Sequence, residues 1–118
     1  MRMQNDDGFS TIVGAAVIAA LATVLVAVVY LGAAVVARHR AQSAADLAAL
    51  AAASAHASGA GDPCAVARSL IGRQDGGPRV DTCRIDGQDV VMHVLVSVRL
   101  GALGVQDASA SARAGPVD

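Results

Sequence analysis

Cys64, Cys83 and the histidines His39, His56 and His93 are the residues of this chain best suited to redox, metal or acid–base chemistry. Their spacing supports little of it. Neither cysteine has a CxxC partner or a nearby histidine, so no metal site is expected. The histidines stand apart from one another, and His93 falls in a strand-like run, where it reads as a surface residue. No GxSxG, phosphate-cradling or zinc-protease motif occurs, and the glycines at 59, 61, 76 and 77 read as linker and turn. The expectation is a protein that is not an enzyme, with no cofactor, metal or small-molecule substrate. One disulfide between Cys64 and Cys83 fits an exported domain. Two unpaired buried thiols are the alternative, since spacing alone does not establish the separation of their Cα atoms.

The elements around these residues are set by one long uncharged run. Phe9 to Ala37 carries no Asp, Glu, Lys or Arg, and about 20 apolar residues suffice to cross a bilayer. A signal-peptide core is shorter. A buried helix of a soluble domain would need bulky material around it, whereas the chain has one Phe, one Tyr and no Trp. The segment therefore reads as a membrane span, with lipid as its partner. Alanine continues the helix beyond Arg38, His39 and Arg40, and no Pro or Gly intervenes before Gly59. A helix over 9–57 would measure roughly 70 Å at 1.5 Å per residue, against a hydrocarbon core of ~30 Å. Its outer half must pack against something. Alanines at 33, 37, 41, 45, 49, 53 and 57 recur every four residues and form a smooth face for another backbone. Ala41, Ala45 and Ala49 lie at its centre, Leu47 and Leu50 supply larger knobs, and Gln42 and Asp46 share a polar face. Asp46 reads either as a solvated residue or as an intersubunit partner of Arg38 or Arg40.

Four zones follow: a leader over 1–8, the helix over 9–57, a linker over 58–62 and a small α+β head over 63–118. In the head, Asp62-Pro63 predicts a helix start, and Val66, Ala67, Leu70 and Ile71 form its apolar stripe. Two strand-like runs, 80–85 and 90–100, flank Asp86-Gly87, a hairpin signal. Val90, Met92, Val94, Val96 and Val98 alternate with more polar neighbours, as in a sheet with one covered face. A third run, 105–114, alternates alanines with Asp107, Ser109, Ser111 and Arg113. The predicted head is thus one helix on an antiparallel sheet of two to three strands. So small a domain has a marginal core and benefits from a staple. Net charge is −1, from 9 basic and 10 acidic residues, so nucleic-acid binding has no support.

The short leader ending at Gly8, the apolar helix from Phe9, the run RHRAQSAADLAALAAASA, the cysteine pair and the closing ARAGPV together resemble TadE/TadG-like proteins of tight-adherence (Flp) pilus assembly. Within that group they are similar to the short actinobacterial branch described as TadE-like secretion or helicase-neighbourhood proteins. The most specific stretches are 38–53 and 112–117. The resemblance implies a minor pilin or pseudopilin, anchored in the cytoplasmic membrane with its head outside. Its implied partners are other pilin-like subunits, tight-adherence assembly proteins and a prepilin peptidase cutting between Gly8 and Phe9.

Prepilin substrates resemble a basic leader with Glu five residues into the mature chain, whereas here Asp6 and Asp7 close the leader and Val13 holds the fifth position. A permanently anchored component therefore stands beside a fibre subunit. Arg38 and Arg40 after the span favour a cytoplasmic head by the positive-inside rule; the cysteine pair and the family favour export, and the reading adopted is an extracytoplasmic head. Two other classes remain: a secreted or envelope-released factor, and a small membrane scaffold or regulator that never enters a fibre.

Overall fold

Alanine-rich sequence without proline before Pro63 folds as a single helix, α1, Arg2–Ser58. The computed structural model describes residues 2–117, and side chains from Asp7 onward. Met1 of the expected leader lies outside the described residues, as does the side chain of Asp6; the backbone over 2–8 is helical. The helix ends where Gly59 turns to φ +67° and the amide of Ala60 donates to the Ala55 carbonyl at 3.0 Å. That pairing closes the last turn in the manner of a Schellman motif, which a left-handed glycine makes possible.

The chain divides into two compact units at Gly32. The first is helix alone, and its large apolar side chains, among them Phe9, Ile12, Ile18, Leu21, Leu25 and Leu31, are exposed. Among the described residues, one helix is long and apolar enough to cross a membrane, and this unit belongs to it.

The second unit begins at Ala33. It holds the rest of α1, a short helix α2 (Pro63–Gly72), and strands β1 (Arg79–Asp86), β2 (Asp89–Arg99) and β3 (Val105–Ala114), with a 3-10 turn at Gly101–Leu103. The strands form one antiparallel sheet in the order β1-β2-β3. The α+β architecture and the three strands agree with the sequence reading. The Asp62 carboxylate accepts from the Cys64 amide at 3.0 Å and caps α2, with Pro63 in its first turn. Gly87 takes φ +64° as the first of two residues linking β1 to β2, the conformation a type II′ hairpin turn asks of a glycine. A bulge at Asp81 interrupts the β1–β2 register.

The expected alternation in β2 is realised: Val90, Met92, Val94, Val96 and Val98 are buried, and His93, Ser97 and Arg99 are exposed. These five pack with Ala110, with Ala67 and Ile71 of α2, and with alanines 37, 41, 44, 45, 48, 49, 52 and 53 of α1. Contacts at both ends show that α1 and β2 run alongside each other. His56 meets Gly87 at the hairpin, while Ala34 and Arg38 share a groove with Leu100 at the other end. The lengths agree: Ala34 to His56 covers roughly 33 Å of helix and Asp89 to Arg99 roughly 34 Å of strand.

Candidate functional site

Methyl-sized side chains suit a helix to close packing, and eight alanines of α1 are buried in one core with β2, Ala110 and the α2 residues Ala67 and Ile71. Ala41 and Ala45 have no accessible surface and Ala49 has 1 %. The backbone that meets this face is therefore the chain's own sheet. The outward side of α1 carries the other expected contact residues: Leu47 is 53 % and Leu50 62 % exposed, and Arg38, Arg40 and Asp46 are exposed too. Asp46 accepts a hydrogen bond from Gln42 Nε2 at 2.9 Å, and the same amide lies 3.3 Å from the Ser111 carbonyl. Gln42 thus joins the helix surface to β3. The stem of Arg40 crosses Gly76, where even a Cβ would stand 3.1 Å from Arg40 Cδ.

Cys64 and Cys83 are joined in a disulfide with Cα atoms 5.8 Å apart. It ties the first turn of α2 to the middle of β1, so the short helix is held to the sheet by a covalent link as well as by Ala67 and Ile71.

The face of the sheet away from the helices carries two ionic ladders that spacing in sequence did not reveal. Arg79 of β1 lies 2.8 Å from Asp107 of β3, and Ser97 of β2 bonds to both, accepting from Arg79 at 2.8 Å and donating to Asp107 at 3.0 Å. Hydrogen bonds from Arg79 and then Ser97 hold the Asp107 carboxyl below the usual carboxylate range. At the hairpin end, Arg113 donates to Asp89 at 2.7 Å and to Asp86 at 3.0 Å. The Asp89 bond, followed by its charge, raises the Arg113 guanidinium above its ordinary value. The available signal was the placement of Asp107 and Arg113 on one face of β3, facing charges that flank the β1–β2 turn and open β1. Gly115 follows the second ladder closely: a Cβ there would run into the Asp89 carboxylate.

His56 Nε2 lies 3.0 Å from the Gly87 carbonyl, a contact that spacing in sequence did not reveal. No cluster of three or more His, Cys, Asp or Glu side chains suited to a metal ion occurs among the described residues. The described residues expose an apolar helix, a polar sheet face with paired charges, and a helix face bearing Leu47 and Leu50.

Residues 8–55 match the model of the Tad family, described as Flp pilus-assembly TadE/G-like. The matched segment runs from the expected Gly8 junction through the alanines of the head core. No curated protein and no solved structure matches the chain.

Proposed function

From this TadE/G-like segment over residues 8–55, we propose that the chain is a non-enzymatic pilin-like or pseudopilin-like subunit of a tight-adherence pilus or secretion apparatus. The observation that carries the reading is the change of role along one helix within that segment. Large apolar side chains face outward before Gly32, and alanines pack a head from Ala37 onward. A helix that anchors at one end and forms the spine of its own head at the other fits a single-pass membrane subunit. Lateral contacts with other pilin-like subunits and assembly proteins then fall to the exposed side of α1, with Leu47 and Leu50 as apolar contacts and Asp46 and Arg40 as charged ones. The disulfide favours an extracytoplasmic head, because such bonds persist in oxidising compartments.

A permanently anchored minor component is the second reading, favoured by Val13 at the position where prepilin substrates resemble one another in carrying Glu. Without that carboxylate nothing offsets a neighbour's new amino terminus inside the membrane, where an unpaired charge is costly.

The test is thiol labelling in intact cells with a membrane-impermeant reagent, before and after reduction, with N-terminal sequencing of the same material. Labelling only after reduction is expected. A chain beginning at Phe9 identifies a peptidase-processed subunit, and an uncut chain the permanent anchor. Free thiols reachable only after lysis would overturn the extracytoplasmic, pilin-like assignment.

A further inference from the structure

The connection between β2 and β3 reads Leu100-Gly101-Ala102-Leu103-Gly104-Val105 and contains no polar side chain. Leu103 is 66 % and Val105 60 % exposed. With exposed Ala102 they form a tip whose side chains are all apolar. Three amides of the loop are paired within it: Leu100 donates to the Gly104 carbonyl at 2.8 Å, Leu103 to Leu100 at 3.1 Å and Gly104 to Gly101 at 3.0 Å. Glycines at φ +59° and +84° make that closed turn possible. Each amide paired within the turn lowers the cost of bringing it into an apolar phase.

Its position selects the partner. Leu100 and Val98 share an open groove of about 350 Å³ with Ala34 and Arg38 of α1. The loop therefore lies level with the last turn of the uncharged run, which ends at Ala37. From Phe9 to Ala37 that run rises roughly 43 Å, the thickness of a bilayer with its headgroups included. Ala34 then belongs to the headgroup layer, and so does a loop beside it. Arg38 in the groove and exposed Arg99 at the end of β2 make no ion pair among the described residues, and both offer guanidinium groups at the level of lipid phosphates. Asp107, the acid nearest the loop in sequence, is already paired with Arg79.

We propose that Leu100–Val105 is a second membrane contact, inserting Leu103 and Val105 into the bilayer interface with Arg38 and Arg99 on the phosphates, so that the head is seated on the lipid surface. The inference rests on α1 being a membrane anchor, and its test separates the two. The chain lacks tryptophan, so L103W or A102W reports from the loop, and Q88W reports from the hairpin at the opposite end of β2. Each full-length variant is reconstituted in phosphatidylcholine–phosphatidylglycerol vesicles, floated after an alkaline wash, and its emission recorded with lipids brominated high on the acyl chain. The expected result is co-flotation of all three, with blue-shifted, bromine-quenched emission from positions 102 and 103 and red, unquenched emission from 88. Flotation with all three tryptophans unquenched overturns the loop contact and leaves the anchor standing. Loss of flotation overturns the anchor and the loop contact with it. A blue shift without bromine quenching places the loop against protein and also overturns the proposal.

Discussion

The Nε2 atom of His56, in the last turns of α1, lies 3.0 Å from the carbonyl oxygen of Gly87, the first residue of the β1–β2 turn. A carbonyl only accepts, so the ring nitrogen donates and the proton sits on Nε2. The bond pins the tip of a hairpin to the helix it covers. Substituting H56A removes it at a cost of about 1 kcal/mol, the net value of a typical intramolecular hydrogen bond. The effect should be local. Amide exchange at Gln88 and Asp89 is expected to accelerate while Val94 and Val96 keep their protection; unchanged exchange at the turn would mean that the contact does not hold the hairpin.

The disulfide stabilises a head whose own helix contributes only Ala67, Ile71 and Pro63 as buried residues. The bond closes a chain segment with a sequence separation of 19, for which the loop-entropy relation gives about 3 kcal/mol. The double variant C64S/C83S should therefore unfold at a markedly lower temperature in detergent, as should the reduced wild type. Coincident melting curves for oxidised and reduced protein would show that α2 is held by packing alone.

Much of this head could be read from sequence because its cues are local. Asp62-Pro63 specifies a cap, Asp86-Gly87 a turn, and the Val90-to-Val98 alternation a covered sheet face, each through residues only a few positions apart. The alanine stripe was equally visible, but a smooth face states only that some backbone comes close. Whether it belongs to a neighbour or to β2 and β3 depends on pairing across more than forty residues of chain, which no local pattern encodes. The same holds for Gln42 with Ser111, His56 with Gly87, and the ladders linking Arg79 to Asp107 and Arg113 to Asp89. Each charge or polar group has ordinary surface character in sequence, and strand register alone brings the partners together.

Acid should weaken the Arg79–Ser97–Asp107 ladder. Its folded-state pairing holds the Asp107 carboxyl below the usual carboxylate range, chiefly through the Arg79 hydrogen bond. A depressed folded value means that the contribution is fully present above the unfolded carboxylate's pKa and is lost as pH falls through the lowered one. The pair is exposed, so the effect is small and screened by salt. Melting temperature measured from neutral pH downward should therefore fall less steeply in D107N than in wild type. Parallel curves would remove Asp107 from the acid response.

Opposite sides of α1 should respond in opposite ways to substitution. Ala45 has no accessible surface and sits in the core shared with β2 and Ala110, so A45L forces a larger side chain into a filled space. Overpacking of this kind typically costs 1–3 kcal/mol, so roughly that loss is expected in the melting of the isolated protein. Leu50 is 62 % exposed, and its truncation leaves no cavity; L50A, alone or with L47A, should change stability by no more than about 0.5 kcal/mol. If the exposed side makes the lateral contacts, L47A/L50A should nonetheless reduce co-purification of the chain with its assembly partners from membranes crosslinked before extraction. A45L protein that still folds should retain those partners. Unchanged crosslinking in L47A/L50A would place the contacts elsewhere on the head.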